Sequence, residues 1–447
     1  MAPPLNEILL TRIAEHGPIP FEEFQSASLY DPEHGFFSTG ELRSTKAGDF
    51  LTSPEVSPLF GETLAAFVEK EWHRVLSTAA DGDSVPPASE ASVRGEGAAA
   101  GGGGRGALFH LVEVGAGSGS LLKPLLDTLT APIDVWTVEA SPMAREALAA
   151  VVPPYPRPSG AAVLSPQGGD RVPPDPRPSG AAVLSPQGGD RQPPYPRPSG
   201  AAVLSPQGGD RQPPYPRSRV LSSLDELPDH LTGVIIANEL LDNLPVAVAV
   251  RTEDGWRERW VGADGDQLVL VDAPARPEVV DWCDRFAGPC PVDGFVEVQI
   301  AAAQWLAMAL GKLDHGALLL IDYGDTAENL EPRRTEGTLR TYRAHHVGPH
   351  PLDAPGETDI TSDVNFTALQ ALAADRGADV EYHRQDEFLS SLGLRERLSQ
   401  LRRRELDLAR HGDPLERLKI RSRKNEAETL LNPRGLGDFR VLVARVG

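Results

Sequence analysis

The chain has 447 residues, 40% hydrophobic and 24% charged, with a formal net charge of −21 at pH 7. That length exceeds what one hydrophobic core usually serves, so two lobes or one core with large insertions are expected, and the acidic balance argues against a phosphate-binding surface and hence against nucleic acid as partner. No apolar run is long enough to span a membrane, and the two cysteines, Cys283 and Cys290, are too few for a disulfide framework or a cysteine metal site, although one bridge between them stays open.

The N-terminus, "MAPPLNEILLTRIAEHG", has acidic residues and no positively charged leader before an apolar stretch, so an unexported protein is expected. Residues 1–78 read as a helical or lid segment. Within it, "KAGDFLTSPEVSPLFGETLAAFVEKEW" (46–72) places a glycine–acid–aromatic loop before a helix start at "TSPE", with Ser53 ahead of Pro54 and Glu55 in the first turn. Such a loop suits a lid over a ligand, and Asp49, Glu55 and Glu62 are its candidate acceptor-side acids; helix capping alone also accounts for Glu55. Residues 79–106, ending "GEGAAAGGGGRG", read as a flexible Gly/Ala-rich linker.

Residues 107–447 read as the core domain, in which strands alternate with helices. "ALFHLVEV" is a buried strand, "SLLKPLLDTL" a helix, "IDVWTVEA" a strand, and "SPMAREALAAV" a helix with a Ser cap and Pro in its first turn. Residues 153–217 then carry a 20-residue repeat, "PPYPRPSGAAVLSPQGGDRV" and its near-copies. A solenoid is rejected, because each copy offers only "AAVL" as apolar face, too little to offset the entropy of ordering it. The segment reads as a disordered Pro-rich insertion. Next come a short strand "SRVLSS", then "TGVIIANELLDNLP" as strand into helix. Residues 246–298 read as an inserted β-rich subdomain that opens with a hairpin meander over 246–272. "GALLLIDYG" is a strand, "NFTALQALAADRG" a helix and "ADVEYHR" a strand. Residues 386–430 are Arg, Glu and Leu at helical spacing, a solvated face, and "DFRVLVARV" closes the chain as a strand. The alternation predicts an α/β fold with a doubly wound parallel sheet.

"LVEVGAGSGSLL" (111–122) is the strand-to-helix turn where that architecture binds ligands. Glycines there admit a ligand to the backbone, and the helix start adds free N–H donors. The backbone of Gly115, Ala116, Gly117 and Gly119 is the candidate cradle. The dinucleotide pattern GxGxxG is broken by Ser at position 120, while Glu139 ends the next strand where an acid can accept bonds from ribose hydroxyls. Together these point to an adenosine-type ligand; the alternative is a tight turn that holds nothing. A GxGxG loop preceded by Glu113 looks like motif I of class I S-adenosylmethionine methyltransferases. The second constellation is "ANELLDNLP", where Asn238 and Glu239 follow the fourth core strand. An arginine acceptor keeps its charge at physiological pH and must be held by carboxylates while one nitrogen faces the methyl donor. Glu239 is the first candidate for that task. Its other reading is a first-turn helix carboxylate beside the dipole, and Asp242 reads as structural.

"GDFLTSPEVSPLFGE", "LVEVGAGSGSLL", "VEAS", "ANELLDNLPV", "LLLIDYG", "GTLRTYRAHHV" and "DITSDVNFTAL" together resemble the MidA family, from about Ile8 to the C-terminus outside the two low-complexity loops. That family includes mitochondrial arginine methyltransferases that assist respiratory complex I assembly. The resemblance implies a class I methyltransferase core with a Rossmann-like sheet and S-adenosyl-L-methionine as cofactor. On the reading of the residues above, Gly115, Ala116, Gly117 and Gly119 would admit that cofactor, Glu139 would hold its ribose and Asn238 would position cofactor or acceptor. Glu239 would orient the acceptor, with Asp49 and Glu62 as further catalytic candidates, and no metal is implied. The resemblance also implies a protein substrate carrying arginine; symmetric dimethylation belongs to the mitochondrial branch. The long linker and the repeat depart from the family pattern, and the lack of a mitochondrial-type presequence leads to the expectation of a cytoplasmic bacterial relative. Methylation of a small molecule, and an assembly factor that binds the cofactor without turnover, stand as alternatives. The pattern carries no signal for oligomeric state.

Overall fold

Runs rich in Val, Ile and Leu form the strands of one seven-stranded sheet: β1 Phe109–Val114, β2 Ile133–Val138, β3 Ser218–Leu221, β4 Leu231–Asn238, β5 Leu313–Asp322, β6 Asp379–Arg384 and β7 Arg440–Val446. Their spatial order is β3-β2-β1-β4-β5-β7-β6. Neighbours from β3 to β5 are parallel, and β7 lies antiparallel between β5 and β6. The computed structural model describes residues 4–38, 52–81, 108–151, 218–343 and 346–447. Asp49, the repeat insertion and the linker beyond residue 81 lie outside the described residues.

The helices in chain order are α1 Leu5–His16, α2 Phe21–Tyr30, α3 Ser53–Val56, α4 Pro58–Asp81, α5 Leu122–Thr128, α6 Pro142–Val151, α7 Pro277–Phe286, α8 Ile300–Lys312, α9 Phe366–Ala374, α10 Gln385–Ser391, α11 Leu394–His411 and α12 Pro414–Leu430. Strand alternation sorts the core into two layers. In β5, Leu319 and Ile321 meet Phe60, Leu64 and Phe67 of α4, Leu125 of α5 and Leu430 of α12. Leu318 and Leu320 of the same strand meet Leu306 of α8 and Leu369 of α9 on the opposite face. The 1–78 segment thus ends inside α4, whose apolar side belongs to the sheet's own core. Among the described residues no helix is long and apolar enough to cross a membrane.

Residues Ala247–Thr252, Gly255–Asp264 and Gln267–Pro274 form the expected antiparallel meander, extended by Phe295–Val298. One face carries Leu9 of α1 and Phe21 and Phe24 of α2 against Val248 and Val261. The other carries Val279, Trp282 and Phe286 of α7 against Ala247, Ala249 and Val296. This packing anchors the N-terminal helices and brings the end of α2 to the site described below.

One local expectation is corrected, one helix start proves short, and one open question is closed. No α-helix follows β4: "ELLDNLP" makes a single 3-10 turn, Leu241–Asn243. The cause is Asp322 at the end of β5, whose Oδ2 accepts the amides of Leu240, Leu241 and Asp242 at 3.2, 2.9 and 3.3 Å and pins them as a turn, with Pro245 close behind. "TSPE" starts only one helical turn, preceded by Thr52, before the chain restarts at Pro58 as α4. Cys283 and Cys290 are both free thiols, with no bridge between them.

Candidate active site

Sheet register places the site. Val114 at the end of β1 lies opposite Val138 of β2 and Ala237 of β4, and Asn238 lies opposite Ile321 of β5. Gly115, Glu139, Glu239 and Asp322 therefore leave the sheet along one carboxyl edge. It is also where strand order reverses, because the chain proceeds from β1 to one side and from β4 to the other; open α/β sheets form their ligand crevice there. A cavity of about 380 Å³ occupies this point.

The glycine loop forms one wall, from Val114 to Gly117. Gly115 has φ +72° with Leu240 Cδ1 only 3.0 Å from where a Cβ would stand, so a side chain there meets both strain and a neighbour. Gly119, at φ +77°, packs its Cα face on Leu148 and Val151 of α6 and does not line the cavity. Its contribution is to the shape of the turn. The Glu139 carboxylate bridges two loops: the Gly117 amide donates to Oε2 at 2.8 Å and the Ser141 amide to Oε1 at 2.8 Å. Each oxygen retains acceptor capacity toward the cavity.

The second wall is Asn238, Glu239 and Leu240. Glu239 has φ +51°, an uncommon backbone state for a residue with a side chain. Its own amide donates to Ile321 O at 2.8 Å, and the Asp322-held amides follow immediately, so both sides of the strained residue are anchored. Glu239 Oε1 accepts the Ser53 amide and Asn238 Nδ2, each at 3.1 Å. Burial pushes its carboxyl up to about 8, against the lowering effect of those two donors, with Asp242 and Glu55 adding to the rise.

Glu113, one strand residue from the loop, is 5% exposed and lines the cavity. Burial, then the Glu139 charge, pushes its carboxyl up to about 8. Glu113 Oε2 and Asn238 Oδ1 are buried acceptors without a hydrogen-bond partner among the described residues. Orphaned acceptors cost stability unless a ligand satisfies them, so this edge suits a ligand with cationic or N–H groups. Met143, Ala144, Leu224, Trp305 and Met308 supply an apolar side suited to a flat base. Tyr30, Phe37, Thr52 and Pro54 of the N-terminal segment complete the enclosure.

Of the residues singled out from sequence, Gly115, Ala116, Gly117, Glu139, Asn238 and Glu239 are gathered around this one cavity. Glu62 is not. Its carboxylate pairs with Arg423 at 2.8 Å and with Arg397, tying α4 to α11 and α12, and it does not line this cavity. Asp49 lies outside the described residues. Asp242 is buried and accepts the Tyr323 hydroxyl, consistent with a structural role. Sequence reasoning passed over Glu113 as a site residue, although an acid within the buried strand "LVEV" is itself a signal. It also missed Tyr30 and Phe37, which no local pattern marks.

Residues 101–383 match the family described as S-adenosyl-L-methionine-dependent methyltransferases. Among curated proteins, the chain is 26% identical to "Protein arginine methyltransferase NDUFAF7, mitochondrial" of Rattus norvegicus, over 97% of this chain and 82% of that protein. The same-named protein of Homo sapiens is 25% identical, over 97% and 81%. Among solved structures, a superfamily member from Burkholderia thailandensis bound to S-adenosyl-homocysteine aligns with TM-score 0.69 and 24% identity, covering 99% of this chain and 91% of that one; it shares the fold. The expectation of a cytoplasmic protein is overturned by these curated relatives, whose names place them in mitochondria.

Proposed function

The chain belongs to this family of S-adenosyl-L-methionine-dependent methyltransferases, and from that premise we propose that it methylates a nitrogen of arginine in a protein substrate. The observation that carries the acceptor is Glu239: a cavity-lining carboxyl held in a strained, doubly anchored turn, with one oxygen engaged by Ser53 and Asn238. The names of the curated relatives point to the same acceptor. The cavity fits the cofactor, because the loop from Val114 to Gly117 lines it and its buried acceptors on Glu113 and Asn238 await donors.

Bound there, S-adenosyl-L-methionine supplies a methyl group activated by a sulfonium centre. The residues of the chain align and neutralise charge. Gly115, Ala116 and Gly117 admit the cofactor, with Gly119 shaping the turn. Glu139 accepts from the ribose hydroxyls while keeping its two amide bonds, and Asn238 orients Glu239 through its Nδ2 group. Glu239, ionised, takes the N–H edge of the guanidinium and holds its charge near the donor. The turn clasped by Asp322 keeps that carboxylate from swinging away as the acceptor arrives.

The test is incubation of the purified full chain with methyl-labelled S-adenosyl-L-methionine and a lysate from its own source, followed by mass spectrometry. Label on protein arginine supports the proposal. Label confined to another residue type or to a small molecule, or cofactor binding with no transfer, overturns it.

A further inference from the structure

The N-terminal segment contributes an aromatic wall to the cavity that neither the glycine loop nor the turn after β4 accounts for. Tyr30, the last residue of α2, and Phe37, in the turn that follows, both line the cavity. Their rings are stacked, with centroids 5.7 Å apart and planes 28° from parallel. The pair is built in rather than loosely exposed. Phe36, fully buried, meets Phe37 edge-on at 5.1 Å, and the Phe36 and Phe37 amides donate to Ser28 O and Leu29 O at 2.9 and 3.0 Å. The Tyr30 hydroxyl donates to Asn243 O at 3.2 Å, which ties the ring to the same turn that aims Glu239. Burial, with Asp242 and Asp359 nearby, holds that phenol protonated.

Such a pair of walls discriminates among cations. A guanidinium is flat, delocalised and weakly hydrated, so it lies on an aromatic face while its edge pairs with a carboxylate. An ammonium is compact and strongly hydrated and cannot use both walls in that way. A neutral urea of the same shape has the edge but lacks the charge.

We propose that the Tyr30–Phe37 pair is the acceptor-reading wall of the site, against which a planar cationic side chain lies while Glu239 takes its N–H edge. This inference rests on the arginine reading above and adds the residues that select it.

The experiment uses the full chain saturated with S-adenosyl-homocysteine, titrated calorimetrically with three blocked peptides identical except for a central arginine, citrulline or lysine. Wild type should prefer the arginine peptide over both others. Phe37→Leu should weaken arginine-peptide binding roughly tenfold, within the range of a partly desolvated cation–aromatic contact, with S-adenosyl-homocysteine affinity preserved. Phe37→Tyr, which restores a ring, should recover most of the lost affinity. If wild type prefers arginine and Phe37→Leu leaves that preference intact, the aromatic wall is refuted while the arginine reading survives. If Phe37→Leu instead loses S-adenosyl-homocysteine, the wall belongs to the cofactor and the inference falls. If wild type shows no preference for arginine, the arginine reading itself fails and takes the inference with it.

Discussion

Replacing Glu239 by Gln isolates the charge of one carboxylate from its geometry. The glutamine oxygen can still accept the Ser53 amide and Asn238 Nδ2, now both at 3.1 Å, and the branching at Cβ is unchanged, so the φ of +51° costs no more than before. What disappears is the negative charge opposite an arriving cation. Loss of one preorganised electrostatic group typically costs ~10²–10³ in kcat, or about 2.7–4 kcal/mol, while affinity for S-adenosyl-L-methionine should stay within about threefold, well under 1 kcal/mol. The pH profile gives an independent reading. Burial pushes this carboxyl up to about 8, and the ionised form is the one that attracts a cation. Wild-type kcat/KM for an arginine acceptor should therefore rise with pH through about 8, and the Gln variant should lack that limb. The assay pairs calorimetry of cofactor binding with mass-spectrometric counting of methylated arginine across pH. A variant that keeps wild-type turnover, retains the limb, or loses cofactor affinity in parallel with turnover refutes the assignment of Glu239 to the acceptor.

Glu139→Ala should weaken S-adenosyl-L-methionine binding by about 1–3 kcal/mol, the range for hydrogen bonds to a charged group, and calorimetry on a folded variant with unchanged affinity would remove this residue from the site. For Glu113, burial lifts the folded-state carboxyl from 4.5 to about 8, so its contribution to stability is fully present below pH 4.5 and is lost as pH rises through about 8. The ligand-free protein should accordingly show a falling urea midpoint across that window and Glu113→Gln a flatter profile; equal slopes in the two proteins would show that Glu113 is not the cause. Deleting residues 158–217, which joins Arg157 to Ser218, should leave the thermal midpoint and cofactor affinity nearly unchanged, because the repeat's composition offers no face to pack. A large loss in either scan would contradict that reading.

Much of the framework is legible in local pattern because its causes are local. A strand buried on both faces must be apolar throughout, as "LLLI" in β5 is, and a backbone turn that must leave room for a ligand must be rich in glycine, as "GAGSG" is. Those constraints act within a few residues, so strands, glycine loop and the acid ending β2 announce themselves. The acids were harder, because carboxylates look alike in sequence and differ only in what surrounds them. Glu62 and Glu239 both follow plausible motifs, yet three-dimensional packing sets two arginines from α11 and α12 against the first and leaves the second facing the cavity. The turn that aims Glu239 was misread as a helix because its decisive partner, Asp322, lies more than eighty residues away in sequence and meets it only through the β4–β5 register. Tyr30 and Phe37 reach the cavity only because α1 and α2 pack on a meander inserted more than two hundred residues later. Periodicity and turn chemistry are properties of a short stretch of chain and can be read from it; the charge state of a carboxyl and the membership of a cavity wall depend on which distant segments the fold brings together, and only the tertiary structure decides them.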